Sequence, residues 1–267
     1  MSDSAASEIE RDCPACGEAA ARALPRYSQG PWRVVECEAC GFVYLRNVPD
    51  YSRLVTEFAW EKTWAEERDR RKAEKSAFRA MDRAASFRWK LRKDAGARYR
   101  KVFGSGRVLD IGCGRGDVLP EPLIPFGIEL SQVLFEEADP KMRARGGYVL
   151  MGPAIERLGD FEEGFFDGVL MSSILEHDMN PKALLAGVRR VLKDGGKLYL
   201  KLPNFGSSNR KLRGGKWCGF RYPDHVNYFT VPQLRAMAEE AGYEFRQLNR
   251  FSPFSDNMHA LLTKAAK

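Results

Sequence analysis

Histidine is scarce in this chain: three occur in 267 residues, so imidazole chemistry has few places to sit. No apolar run approaches the ~20 residues that cross a bilayer, which excludes a membrane-spanning helix. The opening MSDSAASEIERD is polar and lacks the apolar core of a secretion signal. Residues 1–12 therefore read as a loose tail, and the protein as cytoplasmic. Internal repeats are absent. Proline is missing from the whole of 51–101, which permits long helix there. With 44% hydrophobic and 30% charged residues, what remains is an ordinary globular composition.

Cysteine is sparse as well, and its placement is informative. Four of the six fall in two matched pairs, CPACG (Cys13, Cys16) and CEACG (Cys37, Cys40), with 20 residues between them. In a cytoplasmic chain such pairs read as metal ligands, not disulfides. Residues 13–50 are too few to bury a useful core alone. Four thiolates around zinc would replace that core and leave no open position, so the metal is expected to be structural. The glycine after each second cysteine, Gly17 and Gly41, suits the tight turn of such a knuckle.

The net charge of +7 is concentrated. Between Arg68 and Lys101 stand fourteen Lys or Arg against four Asp or Glu. Residues 51–101 read as a basic helical linker or cap, with aromatic residues at roughly helical spacing. A solvated amphipathic face explains it, and so would a nucleic-acid grip.

From residue 102 to the C-terminus, short apolar runs alternate with helical segments. RVLDIG, PFGIELS, YVLMG, DGVLMSS and KLYLKLPN read as strands; PKALLAGVRRVLKDGG between the last two reads as a helix opened by Pro181 and closed by Gly195–Gly196. That alternation predicts a doubly wound, mostly parallel α/β sheet covered on both faces.

Ligands of such sheets bind beyond the carboxyl ends of the strands. There lies VLDIGCGRGD, with glycines at every second position: Gly112, Gly114 and Gly116. A pyrophosphate site wants G-x-G-x-x-G and no acid beside it. Here Asp110 precedes the first glycine, and a carboxylate attracts a cationic ligand. Glu129 ends the next strand, where an acid can grip ribose hydroxyls. Together they describe a site for a nucleoside without phosphate.

VLDIGCGRGD, GIELS, FDGVLMSSILEH and VLKDGGKLYLKLPN, in that order, resemble the successive motifs of class I S-adenosylmethionine-dependent methyltransferases. The resemblance covers Arg107 to the C-terminus. It implies a Rossmann-like sheet of seven strands with the last reversed. It further implies that Asp110, Gly112 and Gly114 line the methionine end of S-adenosylmethionine and Glu129 its ribose. Leu130, Ala154 and Ile155 would hold the adenine; Cys113, packed and not reactive, and Ser172 complete the lining. Two departures stand out. Pro120, Pro122 and Pro125 cut the first helix to about one turn, and the third strand ends in Gly152–Pro153 where relatives often carry an acid.

Methyl transfer needs an aligned nucleophile and often a base. The candidates around the acceptor are Glu176 and His177 in ILEHD, and Tyr222, Asp224, His225 and Tyr228 in RYPDHVNYFT. A histidine, with its ordinary pKa of ~6.5, suits the base, whereas His259 reads as structural. The stretch SSNRKLRGGKWCGFRYPDH reads as a lid. The acceptor is read as a small molecule of the sugar, quinone or natural-product type. An RNA methyltransferase and a non-catalytic binding module are the competing readings; oligomeric state is not encoded legibly.

Overall fold

A computed structural model describes residues 8–49, 95–249 and 255–265. Most of the basic stretch expected to be helical, 50–94, lies outside the described residues.

The N-terminal unit contains strands β1 (Glu8–Glu10), β2 (Ala21–Ala23), β3 (Val34–Cys37), β4 (Val43–Leu45) and β5 (Asn47–Pro49). From Glu8 the expected tail is strand, antiparallel to β5. Arg11 explains why it is held. Its guanidinium donates to the carbonyls of Leu45 (2.9 Å) and Val226 and to Asn227 Oδ1 at 2.9 Å.

The remainder runs α1 (Ala95–Phe103), β6 (Gly106–Ile111), β7 (Leu123–Glu129), α2 (Gln132–Arg143), β8 (Val149–Met151), α3 (Ala154–Arg157), β9 (Phe166–Ser172), α4 (Pro181–Val191), β10 (Leu192–Pro203), α5 (Ser208–Arg213), β11 (Asn227–Tyr228), α6 (Val231–Glu240), β12 (Tyr243–Gln247) and β13 (Asn257–Lys264). Seven of these strands form one sheet, ordered β12-β13-β10-β9-β6-β7-β8. β13 alone runs against its neighbours β10 and β12, as expected of a reversed last strand.

Strand alternation sorts the core onto two faces. Leu109, Ile111, Val169, Met171, Leu198, Leu200 and Leu202 join one buried cluster with Leu184, Leu185 and Val188 of α4 and Leu234 of α6. Val108, Leu170, Tyr199 and Leu261 point the other way and are covered by Tyr99 and Phe103 of α1. Asp110 shares the parity of Val108, so it reaches the α1 face. Gly168 is the entry point for that helix: a Cβ there would stand 2.3 Å from the Phe103 ring.

Two expectations are corrected. The segment after the glycine loop forms no helix at all before β7, because Pro120 and Pro122 leave neither donors nor room for a turn in so short a stretch, and Pro125 already lies in the strand. The tail expected at residues 1–12 is corrected too, from Glu8 onward, and the N-terminal unit is joined to the C-terminal part by a shared sheet. β11 comes from the C-terminal part yet pairs with β4, giving a four-stranded sheet ordered β11-β4-β3-β2. The expected lid is sewn into the same seam. Trp217 and Phe220 are buried with Tyr27, Val34 and Val43, and Arg210 donates to the Tyr27 hydroxyl at 2.8 Å.

Candidate active site

The glycine loop leaves β6 beside the end of β7. The Gly114 N–H donates to Glu129 Oε2 at 2.7 Å. Glu129 Oε1 accepts from the N–H groups of Leu130 (2.9 Å) and Ser131 (3.0 Å). The acid therefore clamps loop and strand end together, and Oε2, with one donor, keeps a lone pair for a ligand hydroxyl. Asp110 is buried beside it, and its carboxyl is held well above the usual range, first by burial and then by the charges of Glu129 and Asp117. This is a pocket short of positive charge.

Gly112 has φ +72°, and a Cβ there would lie 2.4 Å from Ile174 Cδ1; Gly114 has φ +55° and faces open space. Left-handed backbone costs a residue with a side chain ~1–2 kcal/mol, and crowding adds ~1–3 kcal/mol. Gly112→Ala is thus expected to destabilise more than Gly114→Ala, by up to about 1 kcal/mol, because the Ile174 Cδ1 methyl can turn aside. Equal midpoints of the two variants in urea denaturation would contradict this contact.

Cys113 packs against Ala138, Met142 and Val149. Burial, then Asp110 and Glu129, push its thiol up, away from the reactive thiolate. Beyond β7 and β8, Leu130, Met151 and Ile155 stand exposed, an apolar shelf of the kind a purine ring can cover. Ala154 opens α3 beside them, and Ser172 ends β9 at the half-exposed rim.

Glu176, His177 and His225, far apart in sequence, are brought together. One ligand atom from each lies within 4.8 Å of the others, and the two imidazoles meet edge-on at 4.6 Å. Glu176 does not cap the next helix; Asn180 does, accepting from the Ala183 N–H at 3.2 Å. The Glu176 carboxyl is buried and pushed up to about 8, because burial outweighs its own backbone, Lys201, Arg221 and Ser173. Burial, and then the Arg221 charge, push the His177 ring down to about 4, so it is neutral at pH 7. Asp224 pairs with Arg221 at 2.9 Å. His259 takes the structural place expected of it, with Nδ1 2.7 Å from the Tyr199 hydroxyl.

Tyr222 departs from its expected role. Its hydroxyl donates to the carbonyl of Tyr27 in the N-terminal unit, and burial pushes it up; it fastens the seam. Tyr228 is likewise buried in that seam, against Phe205 and Phe220. Sequence reading missed Arg11 and Asn227. Asn227 Nδ2 donates to the carbonyls of Leu175 (3.2 Å) and Asp178 (2.7 Å), which holds the loop carrying Glu176 and His177. Asn227 lies within RYPDHVNYFT but was overshadowed by its titratable neighbours, Arg11 lies in the stretch read as a tail, and the partners of both are distant in sequence.

At the other end of the N-terminal unit Cys13, Cys16, Cys37 and Cys40 converge, with all four sulfurs within 4.8 Å of one another. Cys13–Cys40 and Cys16–Cys37 stand 3.6 and 3.5 Å apart. A tetrahedral ion with ~2.3 Å bonds to sulfur needs edges of ~3.8 Å, so the set fits one.

A reversed strand in a doubly wound sheet, with two acids flanking a glycine loop, defines a nucleoside-binding α/β domain of the methyltransferase type. A family model described as "Methyltransferase domain" matches residues 66–248, and the chain belongs to that family. It is 33% identical to a ubiquinone biosynthesis O-methyltransferase of Methylococcus capsulatus, over 57% of this chain and 70% of that one. It is 27% identical to an uncharacterised protein of Methanocaldococcus jannaschii, over 52% of this chain and 65% of that one. Against a second ubiquinone biosynthesis O-methyltransferase, of Xanthomonas oryzae, the chain spans 46% of the relative's length at 34% identity. The fold also matches the crystal structure of a Burkholderia thailandensis 1,6-didemethyltoxoflavin-N1-methyltransferase, with TM-score 0.55 and 17% identity over 92% of this chain and 100% of that one. No helix among the described residues is long and apolar enough to cross a membrane.

Proposed function

We propose that the protein moves a methyl group from S-adenosylmethionine to a small-molecule acceptor, and that zinc holds its four cysteines. One observation carries the methyl-transfer reading: Glu129 clamps Gly114 while Asp110 stands buried and uncompensated beside it, at the strand ends where a cationic nucleoside fits. When bound, S-adenosylmethionine supplies the electrophilic methyl carbon. Asp110 faces the ammonium group of its methionine end and the sulfonium beyond it, Glu129 accepts from the ribose, and Leu130, Met151, Ala154 and Ile155 cover the adenine. Ser172 bounds the pocket on the β9 side. In the displacement the carbon–sulfur bond breaks with its electron pair left on sulfur. The new bond forms from a lone pair of the acceptor, whose proton is lost. The acceptor lies at the face of Glu176, His177 and His225, next to Ile174 and hence to Gly112. Relatives named for ubiquinone and didemethyltoxoflavin chemistry support a small, flat acceptor.

The reading is tested by incubating the protein with methyl-labelled S-adenosylmethionine and panels of small phenols, keto-sugars and RNA. Label on a small acceptor is expected. Label confined to RNA, or no binding of S-adenosylhomocysteine by calorimetry, would overturn it.

Asp110 gives the binding a pH signature. Its folded-state pKa is raised, so the ligand-free protein is penalised as pH climbs from the ordinary carboxylate range (~3.9) through that raised value. A cationic ligand removes the penalty. The rise in Tm given by S-adenosylmethionine should therefore grow from pH 5 to pH 8 in the wild type and stay flat in Asp110→Asn. A growing shift in both proteins would assign the effect elsewhere.

A further inference from the structure

We infer that Glu176, His177 and His225 form a second metal site, distinct from the four cysteines, that takes one divalent first-row transition ion. Both carboxylate oxygens of Glu176 are buried and make no hydrogen bond of ordinary geometry; the Ser173 hydroxyl and the residue's own N–H offset only part of the cost of burial. With 1% of its surface exposed, Glu176 also has no access to bulk water. A buried carboxylate in that state is expensive unless it is paired or coordinates a metal.

The histidines are prepared in a matching way. His225 Nδ1 lies 2.8 Å from the Gly219 carbonyl. An oxygen of that kind only accepts, so Nδ1 carries the proton and Nε2 carries the lone pair. The Asp224 carbonyl plays the same part for the His177 ring. A backbone carbonyl holding one nitrogen, which leaves the other for the ion, is how metal-ligating histidines are oriented. The Arg221 guanidinium is paired with Asp224 at 2.9 Å, and the Lys201 and Arg221 charges offset only part of the cost of burying Glu176.

The dimensions agree. An ion with bonds of ~2.1 Å holds its donors ~3–4 Å apart, and the three ligand atoms lie within 4.8 Å of one another. Two imidazoles and one carboxylate suit iron(II), zinc or manganese and leave coordination positions open. The site's place beyond β9, with Ile174 against Gly112, sets those open positions beside the cofactor loop. An acceptor hydroxyl bound there loses its proton to water more easily and presents its oxygen to the methyl carbon; this last step rests on the methyl-transfer reading. Here His177 and His225 are ligands, in place of the base role read from the sequence.

The test uses the full chain, stripped of metal and titrated with Co2+. The first equivalent should give the intense sulfur-to-cobalt absorption of the cysteine site. A second should add weaker d–d bands without further charge transfer, for two ions per chain in total. Glu176→Gln and His225→Ala should each return the stoichiometry to one while keeping the sulfur band, which also reports that the variant is folded. Saturation of the wild type at one ion, or a second ion unaffected by Glu176→Gln, would overturn the site. S-adenosylhomocysteine calorimetry on the same samples separates the two ideas: nucleoside binding without a second ion sinks the metal alone, and loss of nucleoside binding sinks the methyl-transfer reading.

Discussion

Replacing Cys37 by serine is expected to release the ribbon's zinc and to lower the protein's melting temperature, while S-adenosylhomocysteine still binds. On the proposed zinc reading, the metal adds to the stability that the unit draws from its buried Tyr27, Val34, Val43, Leu45 and Val48. Binding of structural zinc is worth ~10–16 kcal/mol and is folding free energy for so small a unit. Apart from the buried sulfurs, its contribution to the large core is Val35, Phe42 and Tyr44. The damage does not stop at the ribbon. β11 pairs with β4 through Asn227–Tyr44 and Tyr228–Val43. The Val226 and Asn227 N–H groups donate to the Glu176 carbonyl at 2.9 and 3.1 Å. Unfolding the ribbon therefore frees the loop of Glu176 and His177 as well as His225. The nucleoside pocket, built from β6, β7 and β8, has no strand in that seam. Metal analysis, thermal denaturation and calorimetry on one preparation check the three parts. Stoichiometric zinc in Cys37→Ser would contradict the four-cysteine site.

Glu129→Ala is the second large effect. Hydrogen bonds to a charged group contribute ~1.5–3 kcal/mol, so affinity for S-adenosylhomocysteine should fall by about 10- to 150-fold. Part of the loss comes through the protein, because the Gly114 N–H and those of Leu130 and Ser131 lose their acceptor. Glu129→Gln keeps an oxygen for that clamp but not the charge, and should fall between the two. Unchanged affinity in Glu129→Ala would remove the ribose assignment.

Much of the cofactor side was legible without coordinates, and the acceptor side was not. Asp110, the alternating glycines and Glu129 lie within 20 residues on two consecutive strands, so local pattern and strand order suffice to join them. Cys13, Cys16, Cys37 and Cys40 were legible for a similar reason, since matched pairs advertise a shared ion. Glu176 and His225 were visible as candidates, but nothing local says that they meet. Tyr222 misled because a tyrosine beside a histidine looks catalytic until its hydroxyl is seen on the Tyr27 carbonyl.

The sequence by itself determined the parallel sheet and the reversed strand, and set Asp110, the glycines and Glu129 at neighbouring strand ends, because short apolar runs and glycine turns act over a few residues. Only the tertiary structure decided that ribbon and sheet share a seam, and that Arg11, Asn227 and Tyr222 hold it. Those contacts are hydrogen bonds from side chains to backbone carbonyls as many as 215 positions away. A carbonyl is offered by every residue, so no side-chain pattern marks which one will be met.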